Sequence, residues 1–322
     1  MSPLKLSIGA AGFPRPNLQL ALDTLKAVGI HELDTAEVYG NSEADLGAVN
    51  AAEQGFLIST KNPGGWRKGA LKEVIPKTTA SLSRLNTQAV DILYIHGPDR
   101  SVTLDEWVPH IDSLYREGKF QRFGVSNFSP EEVRTLHAYC KEKGFVLPTV
   151  YQGNYNALSR LIDTTLFPVL RELSIAFYAY SPVAGGFLTK SRRALEEGAG
   201  TGRFATGTAA DAKAGLKMYQ TFYLKPSMVK ALDKWEELAD AQGVSKAELA
   251  YRWVYYHSEM RPELGDTVIV GASKVEQIKQ TVEGLERGSL KAEVVRGIDE
   301  FWELVKEDAI INNFEATGGV TG

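Results

Sequence analysis

Phe120-Gln-Arg-Phe-Gly-Val125 opens the stretch that decides the fold, and Ser129-Pro-Glu-Glu132 follows it closely. The first is a compact apolar run of strand character. In the second, serine and glutamate are spaced as a capping box with proline at the first helical position, so a helix begins here. Gly144 marks its far end, since glycine commonly follows the last helical turn. A strand followed by a capped helix is one βα unit.

The same unit recurs along the whole chain of 322 residues. Each strand candidate is a short apolar run, as expected for parallel strands buried on both faces. The candidates are Leu4–Ala10, His31–Asp34, Phe56–Thr60, Asp91–Ile95, Phe120–Val125, Thr149–Gly153, Ala176–Tyr180 and Thr267–Val270. Eight such units favour an α/β fold of the (β/α)8 TIM-barrel type, as one domain over residues 1–322. An open doubly wound sheet is the alternative.

The composition argues against several classes of partner. The net charge is −4, and lysine and arginine are scattered, so we expect no nucleic-acid partner and no anionic membrane surface. Cys140 is the only cysteine, which excludes an intrachain disulfide. No leader-like segment and no long apolar run is evident, so we expect a cytoplasmic protein.

Two segments break the regular alternation. Lys190–Leu224, here called the flap segment, is rich in Gly, Ala and Thr and is too long for a plain βα loop. We interpret it as a flap over a cofactor or substrate. Leu285–Gly322 follows the last unit, and we expect one amphipathic helix near Val294–Glu307 and then a polar tail.

Four chemically useful residues follow three consecutive strands. Asp34 ends the second strand and leads to Tyr39, Lys61 ends the third, and His96 follows the fourth. In TIM barrels the carboxyl ends of the strands carry the active site, so these side chains should converge. Each residue also has an ordinary interpretation. Asp34 could cap the next segment and Tyr39 could be a loop aromatic. Lys61 could be a solvated charge and His96 a structural histidine. Their joint placement favours a catalytic set.

The chemistry of the four residues fits protonation of a carbonyl oxygen. A free tyrosine has a pKa of about 10, and a nearby lysine ammonium should lower the pKa of Tyr39. Asp34 can hold the ammonium of Lys61 in place. A neutral His96 can orient a substrate carbonyl. We expect no metal site, because too few further ligands follow the strands.

A phosphate site is expected after strand eight. Gly271-Ala-Ser-Lys-Val-Glu276 leads into a helix whose free N–H groups can bind phosphate. Ser273 and Glu276 are also spaced as a capping box that would only start the helix, and local sequence leaves both readings open. No Gly-x-Gly-x-x-Gly follows a strand, so a Rossmann site is not expected.

Two motifs resemble the signatures of the aldo-keto reductase superfamily. Gly29-Ile-His-Glu-Leu-Asp-Thr-Ala-Glu-Val-Tyr-Gly-Asn-Ser-Glu43 resembles the first, and Gly118-Lys119 with Phe123-Gly-Val-Ser-Asn-Phe128 resembles the second. Leu147–Asn156 and Phe177–Thr189 look like the aflatoxin-aldehyde reductase branch. The likeness extends over nearly the whole chain. It implies an NADP-dependent oxidoreductase that reduces an aldehyde or ketone to an alcohol.

The resemblance also implies roles for individual residues. Tyr39 would be the general acid, tuned by Lys61 and Asp34, and His96 would bind the carbonyl. The cofactor NADP(H) would be held at its nicotinamide, pyrophosphate and adenosine parts by Ser126, Asn127, Gln152, Tyr180, Ser181, Pro182, Gly185, Leu188, Arg203, Gly271, Ser273, Lys274, Gln277 and Gln280. Lys274 would place a positive charge at the 2′-phosphate, which favours NADPH over NADH.

The substrate is expected to be a bulky or aromatic carbonyl compound. The pocket walls besides Tyr39 would be Phe13, Trp66, Phe204 and Tyr223, although Trp66 and Tyr223 could equally be packing residues. Asp308–Gly322 has no lysine or arginine, so small acidic aldehydes are not favoured. Only Met1–Pro3 precedes the first strand, so no N-terminal hairpin is expected.

Two other functions and one assembly state stay open from sequence. A nucleotide-sensing regulatory subunit, like the potassium-channel β subunits of this fold, would bind the cofactor with slow chemistry. A barrel hydrolase or lyase would use Asp34 and His96 on a metal. The resemblance also suggests a homodimer, because relatives in this branch are often dimers.

Overall fold

A computed structural model describes residues 3–13, 15–205 and 214–318. Its eight strands form a closed barrel in chain order, with every neighbouring pair parallel. The strands are β1 Lys5–Gly9, β2 Glu32–Asp34, β3 Leu57–Asn62, β4 Val90–Ile95, β5 Phe120–Ser126, β6 Pro148–Asn154, β7 Ala176–Tyr180 and β8 Thr267–Gly271. The predicted TIM barrel is confirmed, and all eight strand positions are correct to within about two residues, the usual uncertainty of element ends.

Helices alternate with the strands and cover the outside of the barrel. They are α1 Leu18–Ala27, α2 Ser42–Ala48, α3 Val74–Arg84, α4 Leu104–Arg116, α5 Pro130–Lys143, α6 Ile162–Thr165, α7 Phe167–Glu172, α8 Arg192–Glu196, α9 Ala214–Tyr223, α10 Pro226–Gln242, α11 Lys246–His257, α12 Val275–Glu286, α13 Ala292–Val305 and α14 Asn313–Ala316. None of the described helices is long and apolar enough to span a membrane.

The helix ends show which capping predictions were correct. At α5 the Ser129 hydroxyl accepts from the backbone of Glu132 at 3.2 Å, and the Glu132 carboxylate accepts from the backbone of Ser129 at 2.7 Å. Gly144 ends that helix with φ 65°, as predicted. The capping box predicted at Ser273 and Glu276 is wrong by one residue. The structure has Lys274 as the N-cap of α12, because the Gln277 carboxamide oxygen reaches the backbone N–H groups of Ser273 and Lys274 at 2.8 and 3.1 Å.

The structure describes most of the flap segment and of the C-terminal segment. The flap contains α8, a 3-10 turn at Gly202–Phe204 and α9, and its residues 206–213 lie outside the described ranges. The predicted C-terminal helix is confirmed as α13. The tail beyond it is not polar throughout, since it forms α14 and buries Phe314. Residues 319–322 of that tail lie outside the description.

The core has two parts that together place the polar site. The larger packs the helices against the outside of the barrel. The smaller consists of Ile92, Tyr94, Val150, Ala176, Tyr178 and Ile269, which lie on four strands of the barrel. Side chains from several strands filling the barrel make it a packed support rather than a pore. The polar residues therefore gather at the carboxyl ends of the strands.

Candidate active site

The structure brings the four predicted catalytic residues together. Lys61 lies in β3 and is fully buried; its ammonium donates to both carboxylate oxygens of Asp34, at 2.7 and 2.6 Å, and to the carbonyl of Thr35 at 2.7 Å. The ammonium lies 5.2 Å from the centre of the Tyr39 ring. The Tyr39 hydroxyl is 3.4 Å from His96 Nε2. These contacts place one phenol and one imidazole above a buried ion pair.

The pKa of Tyr39 does not move in the direction expected from sequence. Burial, and then the charge of Asp34, raise the pKa of Tyr39 above its usual value. The physical reason lies in the groups to which the ammonium of Lys61 donates its protons. All three N–H groups of Lys61 are directed at Asp34 and Thr35, and the carboxylate of Asp34 cancels part of the attraction between the ammonium and a phenolate. Tyr39 is therefore a protonated phenol at neutral pH.

His96 is neutral under the same conditions. Burial, followed by the charge of Lys61, holds the pKa of His96 well below its usual value. A neutral imidazole has one donor and one acceptor nitrogen. Nε2 contacts Tyr39, while Nδ1 is buried without a hydrogen-bond partner in the described part of the chain. This imidazole can therefore offer one hydrogen bond to a substrate oxygen without carrying a charge.

A buried carboxylate that the sequence reasoning missed supports the Tyr39 loop. Glu43 is 2% exposed and accepts hydrogen bonds from the Thr60 hydroxyl at 2.5 Å and from Arg84 Nε at 2.7 Å. The Thr35 hydroxyl donates to Ser42 at 2.8 Å. These bonds tie the start of α2 to β3 and α3. Glu43 stood in the first signature but was given no role, and only its burial distinguishes it from a surface glutamate.

Of the residues expected at the nicotinamide, Ser126, Asn127 and Tyr180 form one hydrogen-bonded group and Gln152 bonds elsewhere. Asn127, at φ 63°, donates from its side chain to the His96 carbonyl at 2.9 Å and to the Ser126 hydroxyl at 3.0 Å, and it accepts from the Tyr180 hydroxyl at 3.0 Å. Gln152 instead donates to Asp34 at 2.8 Å. This bond uses one of the two amide N–H groups of Gln152 and places its side chain on the carboxylate of Asp34.

The loop after β7 has the backbone shape of an anion-binding turn. Ser181 and Ala184 have φ 56° and 51°, and Gly185 and Gly186 continue the left-handed run at 65° and 99°. Successive residues of this kind point backbone N–H groups inward. Pro182 and Leu188 are buried, so they could meet a ligand only through the backbone of the loop.

The flap segment contacts this loop through a residue that the sequence reasoning missed. Tyr219 of α9 shares a hydrogen bond of 2.9 Å with the Ser181 hydroxyl. The guanidinium carbon of Arg203 lies 4.4 Å from the centre of the Tyr219 ring. A Cβ on Gly185 would come within 2.2 Å of that ring, so the tyrosine lies directly on the loop. The sequence held no signal to single out Tyr219 among the flap aromatics.

The residues expected at the adenosine end surround the start of α12. Gly271, Ser273, Lys274, Gln277 and Gln280 are all exposed. Gln277 uses its oxygen to cap the helix, as described above. The ammonium group of Lys274 is therefore exposed to solvent at the N-terminus of α12.

The expected substrate walls are only partly brought to the site. Trp66 is half-buried, its ring centre is 5.9 Å from that of His96, and its indole N–H donates to the His96 carbonyl at 3.1 Å. Phe204 and Tyr223 are instead buried against Phe187, with ring centres 5.4 and 5.8 Å away. Phe13 is half-buried near the start of α2, beside Leu46. Of the four, Trp66 alone contacts a predicted catalytic residue in the described structure.

The described residues contain no group of three or more His, Cys, Asp or Glu side chains arranged to hold a metal ion. Asp34 is occupied by Lys61 and Gln152, and His96 by Tyr39. The arrangement is thus one of a buried ion pair, a phenol and a neutral imidazole, which suits proton transfer to an oxygen.

Comparison with known proteins agrees with this geometry. The profile of the aldo/keto reductase family matches residues 5–303. Oxidoreductase sirO of Leptosphaeria maculans is 40% identical over 291 residues, which cover 89% of this chain and 86% of that protein. The human aflatoxin B1 aldehyde reductase members 2 and 4 are 37% and 36% identical, over 87% and 86% of this chain and 80% and 86% of their own lengths. This chain therefore belongs to the aldo/keto reductase family, whose members are nicotinamide-dependent oxidoreductases that reduce carbonyl groups.

Proposed function

We propose that this chain reduces a bulky or aromatic aldehyde or ketone to an alcohol with NADPH, and that Tyr39 donates the proton. The observation that carries the proposal is the contact between the Tyr39 hydroxyl and His96 Nε2 at 3.4 Å, above the Lys61–Asp34 ion pair. A carbonyl oxygen placed between the phenol and the imidazole would meet two hydrogen-bond donors. Both groups are neutral, so neither has to lose a charge to donate.

Each catalytic residue has a distinct task in this reaction. His96 holds the carbonyl oxygen, and Tyr39 gives that oxygen its proton as the alcohol forms. The phenolate left on Tyr39 is stabilised by the ammonium of Lys61, 5.2 Å from the ring centre. Asp34 keeps Lys61 charged in a buried position, because an isolated ammonium there would lose its proton. NADPH supplies the hydride when it is bound.

The residues present fit a phosphorylated dinucleotide. Ser126, Asn127 and Tyr180 form one hydrogen-bonded group beside His96, where they would hold the nicotinamide carboxamide and stack on its ring. The left-handed loop from Ser181 would hold the pyrophosphate, with Arg203 over it. The cation at the start of α12 would meet the 2′-phosphate.

The proposed substrate class depends mainly on Trp66, which presents an indole beside the proton donor. The relatives named aflatoxin B1 aldehyde reductases are named for an aldehyde substrate, which supports an aldehyde as the substrate of this chain. A nucleotide-sensing subunit would bind NADPH without such turnover. An assay of NADPH oxidation with 4-nitrobenzaldehyde distinguishes the reductase from the sensing subunit. Binding of NADPH without turnover on a panel of aldehydes would refute the proposal.

We also propose that the chain forms a homodimer. Light scattering on the purified chain would test this assembly state.

Lys274→Ala is expected to weaken NADPH binding about tenfold or more and leave NADH binding nearly unchanged. A charge-assisted hydrogen bond to phosphate contributes on the order of 1.5–3 kcal/mol, and only NADPH carries the 2′-phosphate. Tryptophan-fluorescence titration with both cofactors measures the two dissociation constants. The control is Lys279→Ala, an exposed lysine on the same helix. Equal losses for both cofactors would show that Lys274 does not bind the 2′-phosphate.

NADPH is expected to protect the flap segment from trypsin. The glycines of the segment disfavour one fixed free conformation, and a bound dinucleotide would add contacts at Arg203 and Tyr219. Cleavage after Arg193, whose side chain is 83% exposed, and after Arg203 should slow severalfold at saturating NADPH. Mass spectrometry of the fragments over time gives the rates. An equal rate with and without NADPH would argue against a flap that closes on the cofactor.

A further inference from the structure

The C-terminal tail reaches the catalytic end of the barrel. Asn312 and Asn313 are buried, and α14 places the Phe314 ring inside the protein at 3% exposed. Asn312 caps the short helix by accepting from the backbone of Glu315 at 2.8 Å. The part of the tail around α14 is therefore packed against the protein rather than exposed as a polar segment.

Phe314 lies in a gap that exists because two residues have no side chain. A Cβ on Gly65, in the turn after β3, would come within 2.7 Å of the Phe314 ring. A Cβ on Gly97, directly after His96, would come within 3.0 Å of it. Contacts below about 3.0 Å require something to move, so the backbones of both loops approach the ring as closely as sterics allow. Phe314 is thus wedged between the turns that carry Trp66 and His96.

Phe314 packs against the Trp66 ring. The rings of Phe314 and Trp66 meet edge to face, with centres 5.2 Å apart and planes at 85°. The indole N–H of Trp66 donates to the His96 carbonyl at 3.1 Å. Asn127 also donates to that carbonyl, at 2.9 Å. Phe314 therefore supports Trp66, and Trp66 is bonded to the backbone of His96.

Charged groups hold the tail against the same rim. Arg100, in the loop after β4, pairs with Glu315 of the tail and with Glu132 at 2.8 Å. Glu132 is the residue that caps α5. The ion pairs are largely exposed and contribute little energy singly, but they join the loop after β4 and the start of α5 to the tail.

We propose that Phe314 is a positioning residue that sets the substrate selectivity of the enzyme by fixing the Trp66 indole. The inference rests on the proposed function. Trp66 is half-buried, so part of its ring is free of protein and available to a substrate. Without Phe314 the indole can tilt into the vacated gap. A bulky aromatic aldehyde then loses its wall, whereas a small aldehyde held by Tyr39 and His96 loses little.

The test compares two aldehydes on matched variants. We expect Phe314→Ala to lower kcat/KM for 4-nitrobenzaldehyde about tenfold relative to propanal, mainly through KM, the size of effect that pocket contacts give. NADPH affinity should stay within about twofold. Phe314→Leu should recover most of the selectivity, and Ile311→Ala, 52% exposed in the same tail, should not alter it. An unstable variant would lower both activities equally, so the ratio isolates the positioning role. An unchanged ratio in both Phe314 variants would overturn the proposal.

A measurement independent of turnover separates this inference from the proposed function. The fluorescence of Trp66 is obtained by subtracting the spectrum of Trp66→Phe in each background. The efficiency with which acrylamide quenches Trp66 should change by about twofold or more in Phe314→Ala, because the indole leaves its position at the rim. If the wild type reduces neither aldehyde, the proposed function fails, and this quenching alone decides whether Phe314 fixes Trp66. Unchanged quenching would overturn the positioning role.

Discussion

Tyr39→Phe is expected to fold normally, bind NADPH with nearly native affinity and lose at least about a hundredfold in kcat. The substitution keeps the ring that packs beside Lys61 and removes only the hydroxyl that lies 3.4 Å from His96. Loss of a general acid typically costs 10²–10⁴ in rate, or roughly 3–5 kcal/mol of barrier at 1.36 kcal/mol per decade. The proposed cofactor contacts lie at Ser126, Asn127 and Tyr180, which the substitution does not touch.

Two measurements make this result decisive. Single-turnover kinetics with 4-nitrobenzaldehyde give the rate of the chemical step, and a deuterated cofactor shows through its isotope effect that hydride transfer is being observed. The control is Tyr151→Phe, which removes a buried hydroxyl that donates to the Phe128 carbonyl at 2.8 Å, away from the catalytic four. Turnover of Tyr39→Phe within a few-fold of the wild type, with a full isotope effect, would mean that another group donates the proton.

Lys61→Met is expected to lower the free energy of unfolding by about 3–5 kcal/mol, the usual consequence of leaving a buried charge unpaired. Lys61 is 0% and Asp34 4% exposed, and the carboxylate would retain only Gln152 among the partners described above. The rate should also fall, by at least about tenfold. A unit charge about 5 Å from the phenolate stabilises it by roughly 3 kcal/mol at an effective dielectric constant of 20, and Asp34 cancels part of this.

The double variant Lys61→Met/Asp34→Asn separates the two effects. Removing the carboxylate charge should restore much of the stability, because no unpaired charge then remains buried, whereas the activity should stay low. Urea unfolding gives the stability, and NADPH oxidation gives the rate. Lys77→Met, which removes a partly buried lysine that pairs with Glu37 at 3.3 Å, is the control for loss of an ordinary ion pair. A Lys61→Met protein as stable as the wild type would show that Asp34 finds another partner.

The sequence by itself determined the barrel and the grouping of the four residues predicted to be catalytic. Parallel strands buried on both faces are mainly apolar, so each of the eight strands was visible as a short apolar run. The carboxyl ends of all strands in such a barrel lie at the same end of the barrel. Asp34, Lys61 and His96 could therefore be placed together without knowing a single contact. The spacing of Ser129 and Glu132 predicted the start of α5 because a capping box is a local structure.

Only the tertiary structure decided which hydrogen-bond partners the side chains have and where glycines leave room for a buried ring. Gln152 donates to Asp34 across 118 residues of sequence, so its role at the carboxylate could not be seen from either neighbourhood. The direction of the pKa of Tyr39 depends on burial and on where the protons of Lys61 point. Phe314 looked like part of a polar tail because its partners, Gly65 and Gly97, lie far away along the chain. Periodicity and capping are properties of neighbouring residues, whereas packing and electrostatics depend on which distant residues the closed barrel brings into contact.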